Sequence, residues 1–404
     1  MPGQEAAPTT AQVLDTIHEI PAAEWDTLVE AGNPFLRHAF LSALEDAGCT
    51  GPNTSWRPAH IVLHAPDDRP VAAAPLFIRD DSWGEFIFDF EWANAWQRAG
   101  LRYYPKGTVA APFTPAAGRR LLTHPDADRP ALLRRLSDAL VHTAQQHQLS
   151  STHVLFCRPT ERDALCDAGF AERLTYQFHW YNRGYARFDD FLADLRKDKR
   201  KQIRRERAAV AREDVTIETV AGRDIGPELL DAMWTFYRQN QSDRWGNTYL
   251  NRDWFFLVHE RMPDNIVMVV ARHAGQPIAA SFNFVAGPHL YGRYWGCTEH
   301  VEFLHFECCY YRLIEYAIEH GITLFEAGAQ GEHKFLRGFA AVPTWSAHWF
   351  PEGIGRDAIS RYLAAEREAM REQIHAYNRV SPLKAVRAAA AEGTPWPDPP
   401  QPLD

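Results

Sequence analysis

The feature of this sequence that most restricts its fold is an internal duplication. Residues 60–78 and 266–285 each contain an apolar run, a polar turn and a second apolar run, which is the pattern of a β-hairpin. Residues 137–156 and 310–325 each combine apolar residues at helical spacing with a short strand that ends in Leu–Phe. Because the same order occurs twice, the sequence predicts an α+β fold of two similar modules, each a mixed sheet flanked by helices.

The predicted domain boundaries follow from this duplication. We place the first module at 1–183 and the second at 184–380, where the second opens with a strongly basic helix. Segment 82–122 of the first module has no counterpart in the second, so we interpret it as an insertion rich in aromatic and acidic residues. The Pro-rich, acidic residues 381–404 are predicted to form a flexible tail.

Composition excludes several classes of protein. The 404-residue chain has 43 Lys and Arg against 52 Asp and Glu, which gives a net charge of −9 and excludes a uniformly basic nucleic-acid coat. No run of about 18 apolar residues is present, and the mean hydropathy is −0.39. The N-terminal residues lack the basic start and apolar core of a secretory signal. We therefore expect a cytoplasmic protein without membrane insertion, and its oligomeric state stays open.

The cysteine pattern predicts neither a disulfide framework nor a metal site, and the usual sequence motifs of hydrolases and nucleotide-binding proteins are absent. The six cysteines are too sparse for a disulfide framework. Cysteines and histidines between Cys297 and Cys309 lack the spacing of a zinc site. The nucleophile elbow GxSxG, the Walker loop and the dinucleotide fingerprint GxGxxG are absent. We expect no metal and no tightly bound cofactor.

Segment 325–339 combines many reactive side chains with three glycines at the end of a predicted strand. Ligands of sheet proteins collect at such strand ends, and glycine lets the backbone approach a ligand closely. A charged surface loop has a similar composition, but the density of polar groups here favours a functional site. The candidate residues are Glu326, Gln330, Glu332, His333, Lys334 and Arg337.

The insertion contains a second group of candidates. Glu85 and Asp89 lie four residues apart among aromatic residues such as Trp83. Burial among rings raises the pKa of a carboxylate toward the range useful for general acid–base catalysis. A strand whose acids face water while its aromatic residues fill the core explains the pattern equally well. Lys106 and Arg119, in turn-prone sequence, are candidates for holding a phosphate or carboxylate, although ordinary loop charges are at least as consistent.

The basic helix at the start of the second module is a candidate nucleic-acid contact. Clustered cations bind polyanions by neutralising phosphates and releasing counterions. A solvated helix with internal ion pairs is the more common explanation of such a run. The candidate carrier-binding residues are Arg196, Lys197, Lys199, Arg200, Lys201 and Arg204.

Four long segments resemble a known family. They are SWGEFIFDFEWANAWQRAGLRYYPK, PFTPAAGRRLL, YGRYWGCTEHVEFLHFECCYYRLIEYAIEHGI and FEAGAQGEHKFLRGFAAVPTWSAHW. They resemble the bacterial family described as predicted N-acyltransferases or peptidoglycan-biosynthesis-like proteins, which is related to the Fem-type aminoacyltransferases of the GNAT superfamily. The resemblance covers most of 30–380.

The resemblance implies two GNAT-like modules in tandem, an aminoacyl-tRNA donor and an acceptor with a free amine. RKDKRKQIRRERAAV is similar to the basic helical segment at the head of the second Fem module. HKFLRGF is similar to a Lys–Phe pair near the end of that module, so Lys334 is expected to contact the donor's terminal ester or phosphate, with Arg337 as the alternative. The RxxGxG/A loop that binds the pyrophosphate of acetyl-CoA in GNAT enzymes is not visible in either half, which disfavours simple acetyl-CoA use.

These observations together predict an amide-forming N-acyltransferase. Glu332 or His333 is expected to take the amine proton, and Lys334 or Arg337 to hold the developing oxyanion, which is worth roughly 3 to 4 kcal/mol. Glu85 and Asp89 are expected to bind the cationic amine of the acceptor. The full set of substrate-binding candidates is Glu85, Asp89, Trp83, Lys106, Gln330 and Arg337. Two alternatives stay open, namely an acyl-CoA-dependent acyltransferase and a non-catalytic binding module.

Overall fold

The chain is described here from a computed structural model, which covers residues 9–245, 248–329 and 331–393. The strands are β1 (Thr10–Leu14), β2 (Arg57–Pro58), β3 (His60–His64), β4 (Pro70–Ala74), β5 (Leu76–Arg79), β6 (Lys106–Val109), β7 (Leu122–Thr123), β8 (Thr152–Cys157), β9 (Ala171–Tyr181), β10 (Val215–Ala221), β11 (Ile266–His273), β12 (Gln276–Ala286), β13 (His289–Cys297), β14 (Leu324–Glu326) and β15 (Ala340–Trp349).

Helices alternate with these strands. They are α1 (Ala22–Asp26), α2 (His38–Asp46), α3 (Phe90–Arg98), α4 (Arg129–Gln146), α5 (Pro159–Asp167), α6 (Phe188–Asp194), α7 (Lys197–Val210), α8 (Pro227–Trp245), α9 (Arg252–Arg261), α10 (Leu304–Phe306), α11 (Arg312–Glu319), α12 (Ile354–Arg379) and α13 (Lys384–Ala391). A π-helical turn, Glu307–Tyr311, joins α10 to α11. Among the residues described, no helix is both long and apolar enough to cross a membrane.

The chain forms two compact units. Unit 1 comprises the chain up to Thr175 together with Thr344–Met370, and unit 2 comprises Tyr176–Pro343 together with the residues from Arg371 onward. The predicted module boundary at 183/184 lies a few residues beyond the first of these limits and stays a prediction.

Unit 1 contains two groups of strands. One is an antiparallel sheet in the order β1-β3-β4-β7 and the other has the order β15-β8-β6-β5-β2. Both β4 and β8 are buried at every position. Asp128 is the N-cap of α4: its side chain accepts a hydrogen bond from the backbone N–H of Ala131. Its leucines Leu133, Leu136 and Leu140 enter the unit 1 core.

Unit 2 is built on the strand order β10-β11-β12-β13-β14-β9. All neighbours are antiparallel except β13 and β14. The turn between β11 and β12 consists of Ala274 and Gly275, whose φ angles of 49° and 78° match the two-residue hairpin turn. The buried residues of α11 include Leu313, Ile314 and Ala317, which follow the predicted helical spacing.

The predicted repeats are confirmed as structural elements. Residues 60–78 contain the hairpin β3–β4, and residues 266–285 contain β11–β12. The helix–strand pairs are α4 with β8 and α11 with β14. In each repeat the strand that follows the helix pairs in parallel with a strand that precedes the helix. These pairs are β8 with β6 in unit 1 and β14 with β13 in unit 2.

The predicted flexible tail begins too early. Helix α13 occupies Lys384–Ala391, because Leu383 and Val386 are buried and anchor this part of the chain. The Lys384 Nζ also donates to the carbonyl of Ala193 at 2.7 Å. Residues 394–404, which carry the Pro-rich composition, lie outside the described residues.

A pair of buried histidines joins β8 to β15 in unit 1. His153 and His348 face each other across the two strands, with 2.5 Å between their Nδ1 atoms. Burial lowers the pKa of both imidazoles well below the ordinary value; the Lys106 charge acts in the same direction on His153, and the His153 ring does so on His348. Both rings are therefore neutral in the folded protein at pH 7.

We expect this pair to make the protein less stable in mild acid. Below pH ~6.5 the unfolded chain takes up protons on these histidines that the folded chain does not, so the free energy of unfolding falls by up to ~1.4 kcal/mol per pH unit for each histidine. The urea midpoint should therefore decrease from pH 7 to pH 5.5. In His348→Gln the decrease should be smaller, with His147→Gln at an exposed position as the control. Equal decreases in wild type and His348→Gln would contradict this assignment.

Candidate functional site

The candidate site in unit 2 lies where β13 and β14 separate. The two strands pair in parallel at only three positions, from His289 with Leu324 to Tyr291 with Glu326. Beyond these positions β14 ends, whereas β13 continues to Cys297. Parting of two parallel strands at their carboxyl ends leaves backbone groups and side chains available for a ligand.

An irregularity in β13 lies at the same level. Asn283 of β12 pairs with Gly292, but Phe282 pairs with Tyr294, so Arg293 is an extra residue in the ladder. Such bulges redirect side chains and are frequent next to active sites. The positive charge of Arg293 helps to lower the pKa of Lys334.

Lys334 is the most unusual ionisable group of this region. Its side chain is buried, and the Nζ donates a hydrogen bond to the carbonyl of Gly328 at 2.8 Å. A Cβ atom added to Gly328 would lie 3.9 Å from both the Lys334 Nζ and the carbonyl oxygen of Gly292 in β13. The amine therefore lies near the middle of β13, just beyond the end of β14. Burial, together with repulsion from Arg293, lowers the pKa of Lys334 to about 7, so that the neutral amine is accessible near neutral pH.

His333 lies in an aromatic cage. Its ring is half-buried, and the Nε2 lies 2.8 Å from the hydroxyl of Tyr310. The rings of His305, Phe306 and Tyr310 surround it at centroid distances of 5.8, 5.8 and 5.7 Å. Tyr310 belongs to the π-helical turn, and such turns are frequent at functional sites. The arrangement fixes the orientation of the imidazole, one residue before Lys334 in the chain.

The other residues predicted in this segment have different environments. Arg337 is buried and forms an ion pair of 2.9 Å with Glu206 of α7, so its guanidinium is not directed to solvent. Glu332 is exposed, and its Oε1 accepts a hydrogen bond of 2.7 Å from the hydroxyl of Tyr377. Glu326 is buried at the end of β14, with its Oε2 3.8 Å from the Nε2 of His179. Gln330 lies outside the described residues.

The acidic candidates of the insertion bind a lysine of the same chain. The Nζ of Lys106 lies 2.7 Å from Glu85 and 2.5 Å from Asp89, and all three side chains are buried. The hydroxyl of Tyr103 donates to Asp89 at 2.6 Å, and that of Thr108 donates to Glu85 at 3.0 Å. This is a closed polar network inside unit 1, and a role of these residues in acceptor binding stays a prediction.

This network contradicts the strand interpretation of the aromatic and acidic pattern, and the expected rise in carboxylate pKa holds for Glu85 but not for Asp89. The segment is a loop followed by α3, not a strand, and its acids point inward because Lys106 provides their counter-charge. The aromatic residues Trp83 and Phe88 are exposed by 46% and 45%. Burial raises the pKa of Glu85. Burial also opposes ionisation of Asp89, but attraction by Lys106 outweighs it and lowers the pKa of Asp89.

The basic helix α7 has two different faces. Lys197, Lys201 and Arg205 are exposed, Arg200 is half-buried, and none of the four forms an ion pair within the described part of the chain. The other three predicted residues have partners within the chain. Arg196 forms an ion pair with Asp198, Arg204 forms one with Asp189, and Lys199 donates a hydrogen bond to Gln202.

Sequence reasoning missed four residues of this site: His179, Glu206, Arg293 and Tyr310. His179, Arg293 and Tyr310 come from β9, β13 and the π-helical turn, and only the pairing of strands and the turn bring them near segment 325–339. Glu206 had a detectable signal, since it is an acid within a basic run. Within the described residues, no group of three or more His, Cys, Asp or Glu side chains is arranged to hold a metal ion.

The two buried lysines have opposite electrostatic environments, and this is directly measurable. The chain has six lysines, so protein labelled with ¹³C and ¹⁵N in lysine gives few side-chain signals. Lys334 should titrate near pH 7. Lys106 should stay charged above pH 10.5, because attraction by Glu85 and Asp89 outweighs the effect of burial and raises its pKa above that value.

Lys334→Met and Lys106→Met assign the two signals. A Lys334 signal that titrates near the ordinary lysine pKa of about 10.4 would contradict the buried environment described above.

Comparisons with known proteins agree with this architecture. The model of the FemAB-like family, described as peptidoglycan biosynthesis/recognition, matches residues 16–385. The comparison with curated proteins gives no match.

Several solved structures are similar to this chain. FemX shares 10% sequence identity over 85% of this chain and 98% of its own, with a TM-score of 0.53, which is a likeness of fold. L-PGS from Bacillus licheniformis shares 11% identity over 85% of this chain and 98% of its own, with a TM-score of 0.48. A tandem GNAT protein from the clavulanic acid biosynthesis pathway shares 13% identity over 86% of this chain and 99% of its own, with a TM-score of 0.46.

The likeness to FemX confirms the predicted α+β fold, and the family model confirms the resemblance to Fem-type proteins. Since the family model covers most of the sequence, the chain belongs to the FemAB-like family.

Proposed function

We propose that this protein is an N-acyltransferase that moves an aminoacyl group from an aminoacyl-tRNA to a primary amine of a small-molecule or peptide acceptor. The observation that carries the proposal is the buried amine of Lys334 just beyond the end of β14, with its pKa of about 7. A group with a pKa near the working pH is best suited to exchange protons during catalysis. Membership of the FemAB-like family supports acyl transfer as the reaction class.

The proposed reaction joins the acceptor nitrogen to the acyl carbon and breaks the ester bond between that carbon and the tRNA oxygen. The attacking amine loses one proton and the leaving oxygen gains one. Neutral Lys334 accepts the first proton, and the resulting ammonium donates it to the leaving oxygen. A lysine with an ordinary pKa stays protonated at pH 7 and cannot accept the proton.

His333 and Glu326 supply the supporting groups. The hydrogen bond to Tyr310 orients the His333 imidazole, which donates to the oxyanion as the tetrahedral intermediate forms. Glu326 at the end of β14 attracts the acceptor ammonium, which releases one proton to water; the neutral amine then attacks and passes its second proton to Lys334. We favour Glu326 over Glu85 and Asp89 for this role because it ends β14, eight residues before Lys334 in the same unit.

The charges around the site favour tRNA over acyl-CoA as the carrier. The exposed cations of α7 can neutralise phosphates along a polynucleotide. In contrast, the loop that leads into α10 contains Glu299 and Glu302 and no glycine. GNAT-type binding of CoA requires phosphates at this helix start, where two carboxylates repel them.

We expect tRNA binding to depend on α7 and on salt. In filter-binding titrations with bulk aminoacyl-tRNA, affinity should fall steeply between 50 and 200 mM salt. Lys197→Gln, Lys201→Gln and Arg205→Gln combined should reduce the slope of log affinity against log salt by about two to three, since each phosphate contact contributes ~0.9.

The control for this titration is a double substitution of exposed arginines in unit 1, Arg98→Gln with Arg102→Gln, which should leave the slope unchanged. Retention of an acyl-CoA pool instead of tRNA would replace the carrier while keeping the acyltransferase. Binding of neither carrier would favour a non-catalytic binding module.

Loss of the Lys334 amine should remove activity without loss of the fold. Lys334→Met keeps the length of the side chain and removes a desolvated cation, so thermal stability should stay equal or increase. With the carrier identified by binding, kcat should fall by about 10²- to 10⁴-fold, which is typical for loss of a general acid–base group.

The pH profile provides the second readout. In wild type, kcat should rise with pH through about 7 as Lys334 loses its proton, and this limb should be absent from the residual activity of Lys334→Met. The variant Lys384→Met, at an exposed lysine, is the control. Wild-type turnover in Lys334→Met would rule out this mechanism.

A further inference from the structure

The acid Glu206 has an environment unlike the rest of the basic helix α7. Its carboxylate is buried, and the NH2 nitrogen of Arg337 donates to its two oxygens at 2.9 and 3.0 Å. The amide of Gln202 donates to the Oε1 at 2.8 Å, and the hydroxyl of Tyr311 donates to the Oε2. A charged group taken out of water needs several such partners, and Glu206 has them all from unit 2.

Arg337 connects Glu206 to the main chain of His333. Its NH1 donates to the backbone carbonyl of His333 at 2.9 Å, and its Nε donates to the Tyr311 hydroxyl at 2.9 Å. The guanidinium also lies over the ring of Phe306, 3.3 Å from the ring centroid. The three nitrogens of the guanidinium are thus in use, and one of them fixes the main chain immediately before Lys334.

The π-helical turn completes the same arrangement from the other side. Tyr310 and Tyr311 are consecutive residues of this turn. Tyr310 contacts the imidazole of His333, whereas Tyr311 contacts Glu206 and Arg337. Glu206 therefore anchors both the main chain of His333, through Arg337, and the segment that holds its ring, through Tyr311.

We propose that Glu206 is a positioning residue, which holds the segment carrying His333 and Lys334 in its reactive arrangement without contacting the substrates. This inference rests on the proposed function for its catalytic meaning. The dependence of the Lys334 environment on Glu206 can be tested without any substrate. The same carboxylate thereby couples α7 to the reactive segment.

The test is the titration of the Lys334 side chain by NMR in Glu206→Gln, which keeps the shape of the side chain and removes its charge. If Glu206 positions the segment, its loss admits water to Lys334, and the pKa of Lys334 rises by one unit or more from about 7 toward the ordinary value. If Glu206 merely acts by its charge, loss of a negative group lowers the pKa of Lys334. The sign of the shift therefore separates positioning from a direct electrostatic effect.

A matched control removes a different ion pair from the same helix. Glu315 accepts from Arg207 of α7 at 2.6 Å and, among the contacts of the described residues, has none with Arg337 or His333. Glu315→Gln should leave the Lys334 titration within a few tenths of a pH unit of wild type. An unchanged or lowered Lys334 pKa in Glu206→Gln, or an equal rise in Glu315→Gln, overturns the inference.

Two further measurements keep the inference testable. If Glu206→Gln does not fold, Glu206→Asp keeps the charge that Arg337 needs but withdraws the carboxylate by one methylene, and a smaller rise in the same direction is expected. In a turnover assay, kcat should fall tenfold or more in Glu206→Gln while KM for the carrier stays unchanged. If the wild-type protein neither binds tRNA nor turns over substrate, but the pKa of Lys334 rises in Glu206→Gln, the proposed function is contradicted and the positioning role is supported.

Discussion

The cost of placing a charge in the protein interior governs the polar groups of both units. Desolvation disfavours a buried ammonium by several kcal/mol unless opposite charges balance it. Lys106 meets this condition with two carboxylates and stays charged. Among the described residues, Lys334 has one hydrogen-bond acceptor, a carbonyl, and a nearby arginine, so its amine gives up the proton near pH 7 instead. One residue type therefore serves as a structural cation in unit 1 and as a candidate proton-transfer group in unit 2.

The candidate site depends on where neighbouring strands stop pairing. Because β14 ends at Glu326 while β13 continues, the chain after β14 can turn back and bring Lys334 next to the strand ends. The bulge at Arg293 and the π-helical turn at Glu307–Tyr311 then direct an arginine and two tyrosines toward the same segment. Regular strands and helices end here, and the freed groups are available for chemistry.

Much of the fold was predictable because it follows from local periodicity. Each hairpin shows as an apolar–turn–apolar run, and each helix shows as apolar residues spaced by three and four. The parallel pairing of β6 with β8 and of β13 with β14 was not predictable in this way, since it joins residues distant in sequence. The segment of Glu85 and Asp89 misled for a related reason: alternation of aromatic and acidic residues is typical of a strand, but Lys106, 17 residues beyond Asp89, draws the acids inward.

The sequence by itself determined the two-module α+β architecture, the family and the segment 325–339 as the place to look for function, because these are properties of residue order and motif. Only the tertiary structure decided the state of each charge. Arg337, Glu206 and Lys106 form ion pairs within the chain, whereas Lys334 is buried and pairs with no carboxylate in the part of the chain that the structure describes. A pKa depends on burial and on charges within a few ångströms, and those neighbours come from strands and helices that the sequence does not place side by side.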